Sequence, residues 1–99
     1  MSEPLTVVAR MKAKPGQPAR LRQELLGLLA PTQAEAGCVA YDLHESKSEP
    51  GLFFFYEIWD SDADLDAHFQ TPHMVAFLKK VPEMVDGSVD LTKWSKLVA

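Results

Sequence analysis

The chain has 99 residues, 46% of them hydrophobic and 24% charged, and a formal charge of −4, the profile of one globular domain of ordinary size. The acidic balance, with no Lys/Arg cluster, argues against a nucleic-acid partner, and no apolar run nears the roughly 18–20 residues that span a bilayer. Met-Ser-Glu-Pro has no basic region followed by an apolar one, so no signal peptide is expected, and a single cysteine, Cys38, forbids an internal disulfide and fits a reducing, cytoplasmic setting.

Residues 5–14, LTVVARMKAK, alternate loosely and predict a strand with Leu5, Val7, Ala9 and Met11 on one face. Pro15-Gly16 marks a turn. Pro18 suits a first helical turn, where its missing N–H costs nothing. Leu21, Leu25, Leu28 and Leu29 then recur at helical spacing, predicting a helix over about 17–35 that ends at Gly37. Pro31 clashes with the carbonyl of Gly27, so a kink or a break is expected there. Cys38–Glu45 alternates as a second strand, and 47–51 is a hairpin loop. Leu52–Trp59, dense in aromatic and aliphatic residues, is the strongest strand signal. Asp60 or Ser61 can cap a short helix over about 61–70. Thr71-Pro72 reads as N-cap and first position of another helix over about 72–80, which Pro82 disturbs. Residues 88–98 complete the pattern as a last strand. The order β-α-β-β-α-β, with the second helix broken in two, is the ferredoxin-like signature of an α+β fold, an antiparallel sheet with helices on one face.

The third strand is apolar on both sides: Phe53, Phe55 and Trp59 point one way, and Phe54, Tyr56 and Ile58 the other. Helices on one face leave the second set uncovered, a larger apolar patch than a monomer usually shows. A second copy packed sheet to sheet about a two-fold axis is the simplest cover.

The segment YEIWDSDADLDAHFQTPHMVAF, residues 56–77, resembles the signature of the antibiotic biosynthesis monooxygenase family, above all its small single-domain quinol monooxygenases. The opening LTVVARMKAKPGQ and the junction EAGCVAYDL are similar to that family as well, so the resemblance covers nearly the whole chain, residues 1–99, as one domain. The resemblance implies a homodimer forming a dimeric α/β barrel, and oxidation of phenols or quinols by O2 without metal, flavin or other cofactor. Relatives that degrade haem share an Asn-Trp-His set, and this chain contains no asparagine.

Within that segment His68 stands beside the Leu65–Phe69 stripe of its helix. A partly buried imidazole titrates near neutrality, where a general base works best; the plainer alternative is a histidine that only holds the helix. Glu57 is the polar residue of an apolar strand and needs a partner. It could orient His68, or form an ion pair with Arg10 on the first strand. His73 opens a helix, a position that disfavours its protonated form, and is a candidate for binding substrate or a structural residue. His44 lies near a hairpin end, facing solvent. Tyr41, Tyr56, Trp59 and Trp94 could line a site for a planar ring or simply fill the core; Tyr41 and Trp59 are the stronger substrate-binding candidates, with Phe77 and Met74 as walls. Cys38 reads as an inert core residue. His68 and His73 are separated by Pro72 and do not share one helical face, so no metal site is expected.

These readings converge on a cofactor-independent monooxygenase acting on a quinol or polycyclic phenol, with His68 as the base, Glu57 behind it, and O2 and a small aromatic molecule as its partners. An isomerase or lyase acting on a small oxygenated metabolite needs the same base but no oxygen; if its substrate is phosphorylated, Arg10, Lys14, Arg20 and Arg22 are the cations available. A non-enzymatic dimer that binds a hydrophobic ligand would leave His68 exposed outside any cavity.

Overall fold

A computed structural model describes residues 3–98. The elements run β1 (Leu5–Lys12), α1 (Pro18–Gln33), β2 (Cys38–Glu45), β3 (Leu52–Trp59), α2 (Asp62–His68), α3 (Pro72–Met84) and β4 (Asp90–Trp94). They form a sheet of order β2-β3-β1-β4 in which every neighbouring pair is antiparallel. This is the ferredoxin-like arrangement that the element order predicts. Among the described residues no helix is long and apolar enough to cross a membrane.

The period of two along the strands sorts the sheet into two faces. Val7, Ala9, Met11, Phe53, Phe55, Glu57 and Trp59 are buried, and Tyr41 of β2 joins them. Burying each large apolar side chain there stabilises the fold by roughly 1.5–3 kcal/mol. Leu21, Leu25, Leu28 and Thr32 supply the buried stripe of α1, and Leu65, Met74, Phe77 and Met84 that of the later helices. The other face stays open: Phe54 is 36% exposed, Tyr56 38% and Trp94 56%. His44 stacks on Phe54 there, ring centroids 4.4 Å apart, which places it on the outer face, as expected.

Three boundaries differ from the sequence reading. β1 stops at Lys12 instead of continuing to residue 14, with Ala13 making only an isolated bridge to Val85. α3 continues past Pro82 to Met84 instead of ending near residue 80. A proline in the last turn forfeits one hydrogen bond, while the helix gains the fully buried Met84 and closes with Val85 N–H donating to the Val81 carbonyl at 2.8 Å. β4 spans only 90–94, instead of 88–98, and pairs with Thr6–Arg10 of β1. α1 runs unbroken through Pro31 to Gln33.

Candidate functional site

The turn from α1 to β2 determines where the site forms. Gly37 takes φ +82, a conformation that suits glycine. A Cβ at Gly37 would lie 2.3 Å from Cγ of Asp64, so the start of α2 docks directly on this turn. Gly37 also accepts the Asp60 N–H at 2.8 Å. Ser61 caps α2 by accepting the Asp64 N–H at 3.2 Å. At the far end of α2, the Thr71 hydroxyl donates to the His68 carbonyl at 2.7 Å and caps α3 by accepting the Met74 N–H. The result is a tight corner between α2 and α3, with His68 on one side and His73 on the other.

Both imidazoles meet one carboxylate. Oε2 of Glu35 lies 2.7 Å from Nδ1 of His68 and 2.8 Å from Nε2 of His73. Sequence reasoning did not single out Glu35; the only cue was its place in the EAGCVAYDL junction. The orienting role foreseen for Glu57 falls to Glu35 instead. Glu57 accepts the indole N–H of Trp59 at 2.9 Å. Its alternative partner, Arg10, is out of reach by register, because Arg10 pairs opposite Phe54 on the outer face. His68 and His73 share no helical face, as their spacing predicts, yet the α2–α3 corner sets their ring centroids 6.1 Å apart.

His68 is 1% exposed and ringed by aromatics, with centroids at 4.8 Å to Trp59, 5.3 Å to Phe69 and 5.7 Å to Tyr41. Burial pulls its pKa below the ordinary imidazole value, against the opposing pull of Glu35. It is therefore unprotonated at neutral pH. With Nδ1–H donated to the Glu35 carboxylate, Nε2 is left as the basic nitrogen.

His68 lines a cavity of about 40 Å³ between sheet and helices, together with Tyr41, Phe55, Glu57, Met74 and Phe77. The half-buried Phe69 and the exposed Leu78 stand on its outer side. Burial pushes Glu57 up to about 7, although the Trp59 hydrogen bond opposes the shift, so a second titrating group shares the hollow. Tyr41 stacks on Phe55 at 4.4 Å, and burial pushes its phenol well above the usual range. It therefore remains an O–H donor. Burial also pushes the Cys38 thiol up to about 11, which keeps it unreactive at neutral pH.

Several predicted liners fall elsewhere. Trp59 is fully buried in the core, with its N–H committed to Glu57. Tyr56 and Trp94 lie on the outer face by register. His73 borders a surface groove beside Glu24 and Lys80 instead of the cavity. Among the described residues no cation lines the cavity: Arg20 pairs with Glu83, Arg22 with Glu45, and Lys14 reaches the Pro82 carbonyl.

Residues 4–80 match the sequence profile described as antibiotic biosynthesis monooxygenase. The chain is 33% identical over 87 residues to "Uncharacterized protein sll1783" of Synechocystis; the match takes in 84% of this chain but spans only 56% of that relative's length. It is 35% identical over 92 residues to "Putative monooxygenase Rv0793" of Mycobacterium tuberculosis, covering 93% of this chain and 90% of the relative. It is 31% identical over 87 residues to "Probable quinol monooxygenase YgiN" of Escherichia coli, covering 78% and 84%. The crystal structure of PA3566 from Pseudomonas aeruginosa superposes with a TM-score of 0.93 at 38% identity, covering 99% of this chain and 98% of that one.

Proposed function

Because the chain belongs to the antibiotic biosynthesis monooxygenase family, we propose that it oxidises a quinol or polycyclic phenol with O2, using its own side chains and no cofactor. The observation that carries this reading is the buried imidazole of His68, held by Glu35 and lining an apolar hollow. Nε2 takes the phenolic proton. The phenolate then gives one electron to O2, forming a phenoxyl radical and superoxide and so sidestepping the spin barrier. The two radicals combine into a peroxide. Loss of water from the peroxide leaves a quinone-type carbonyl, with the imidazolium returning the proton. Apolar walls exclude water and strengthen each electrostatic contribution. Tyr41 donates to a substrate oxygen.

The cavity is far smaller than the roughly 300–1,000 Å³ of ordinary small-molecule sites. A ring must therefore displace part of its wall. Met74, with an unbranched and adaptable side chain, and the exposed Leu78 are the groups placed to yield. The same absence of cations that leaves the cavity apolar makes a phosphorylated substrate a poor fit.

The reading extends to assembly. A second copy packed on the Phe54, Tyr56 and Trp94 face would cover the open apolar surface and form a barrel from two sheets. Oxygen uptake with a panel of naphthols, anthrones and benzoquinols tests the chemistry. We expect turnover that stops without O2 and falls by about 100-fold or more in His68→Ala. No oxygen-dependent turnover, or an unchanged rate in the variant, refutes the proposal.

A further inference from the structure

We propose that Glu35, His68 and His73 form a binding site for a divalent first-row transition-metal ion of the zinc type. The three residues come from three separate pieces of structure: the turn after α1, the last residue of α2 and the first turn of α3. Their ligand atoms, Glu35 Oε2, His68 Nδ1 and His73 Nε2, all lie within 4.8 Å of one another. Two imidazoles and one carboxylate are the donor set that zinc and its neighbours favour over magnesium or calcium, which prefer oxygen alone.

The two contacts to the carboxylate, 2.7 and 2.8 Å, are hydrogen bonds. A tetrahedral ion with bonds near 2.0–2.1 Å holds its ligand atoms about 3.3–3.4 Å apart. Loading therefore replaces two N–H protons by one ion, lengthens each carboxylate–imidazole separation by roughly half an ångström and draws the two imidazole nitrogens, within 4.8 Å of each other, together. The surroundings suit this exchange. The His68 side chain is 2% exposed and fixes one ligand firmly, whereas those of Glu35 and His73, at 12% and 21%, lie towards solvent and give an ion its way in. The hydroxyls of Thr32 and Thr71 stand 3.2 and 3.3 Å from Nε2 of His73, placed to bond a water in the fourth position. An ion on Nδ1 would leave Nε2 of His68 as an N–H towards the cavity, so metal binding and use of that nitrogen as a base are mutually exclusive.

Metal binding is measurable without knowing any substrate. Untagged, chelator-stripped protein is titrated with zinc chloride and followed by thermal unfolding and calorimetry. Cobalt(II) chloride is added in parallel to read the visible absorption of a tetrahedral site. We expect one ion per chain, a higher melting temperature, and a visible band with cobalt. Glu35→Gln and His73→Ala should each weaken zinc binding by at least about tenfold while melting as cooperatively as the parent without metal. His44→Ala, which alters a histidine on the opposite face, should bind as the parent does. The proposal is overturned if the parent shows no saturable binding, which would mean a purely hydrogen-bonded cluster, or if His44→Ala loses binding while Glu35→Gln and His73→Ala keep it. If either of those two variants fails to fold, the cobalt spectrum of the parent decides, and absence of the tetrahedral band sinks the site.

Discussion

Glu35 and His68 lie 33 residues apart in the chain, yet their side chains meet at 2.7 Å. That contact selects which imidazole nitrogen stays basic, and it makes Glu35 the residue that positions the His68 ring. In Glu35→Gln the shape remains but the charge is lost. Because Glu35 favours the imidazolium, His68 in this variant should titrate at still lower pH than in the parent. An NMR titration of the His68 ring protons reads this directly; a higher pKa in the variant would contradict the assignment. In the active protein the acid limb attributable to His68 should fall below 6.5, the ordinary imidazole value.

Glu57 makes a prediction about stability. Its pKa is raised from 4.5 to about 7 in the folded state, so between those values the folded chain holds a proton that the unfolded chain has released. Stability from this group therefore falls as pH rises, starting near 4.5 and reaching its full loss above about 7. Glu57→Gln keeps an acceptor for Trp59 and removes the charge. Relative to the parent it should gain on the order of 1–3 kcal/mol at pH 8 and little at pH 4. Urea unfolding at the two pH values provides the comparison, and an equal difference at both would rule out the titration.

Gly37→Ala meets two obstacles, a left-handed backbone and the side chain of Asp64. A loss of about 1–3 kcal/mol is expected from the backbone alone, with more from the clash. Adding Asp64→Ala removes Cγ and Oδ2 but leaves a Cβ at 2.7 Å, so it should restore part of the clash component and none of the backbone component. A melting-temperature cycle over the two single variants and the double variant separates them, and strict additivity would mean that the two residues do not collide.

On the outer face, Phe54→Glu combined with Tyr56→Glu should produce a monomer that keeps its fold, since neither side chain belongs to the core. Light scattering coupled to size exclusion measures the mass. A parent that is already monomeric, or a variant that remains a dimer, would remove this face from the assembly.

Much of this architecture was legible in the chain because local physics writes it there. The period of two in Leu52–Trp59, the leucine spacing of α1 and the Thr71-Pro72 start of α3 each depend on neighbours a few residues apart. The same locality explains why Pro82 misled: a proline's cost is visible in sequence, whereas the burial of Met84 that outweighs it is not.

The sequence by itself therefore determined the order of elements and the two faces of the sheet, and it singled out His68 as a candidate. Only the tertiary structure decided what His68 touches. Glu35 sits just past the end of a helix, where no periodicity marks it, and His68 meets it only across the fold. The corner at Thr71 folds His73 back onto the carboxylate already bound to His68. A hydrogen bond is made in space, and spacing along the chain encodes it only when both partners lie on one element; here they lie on three.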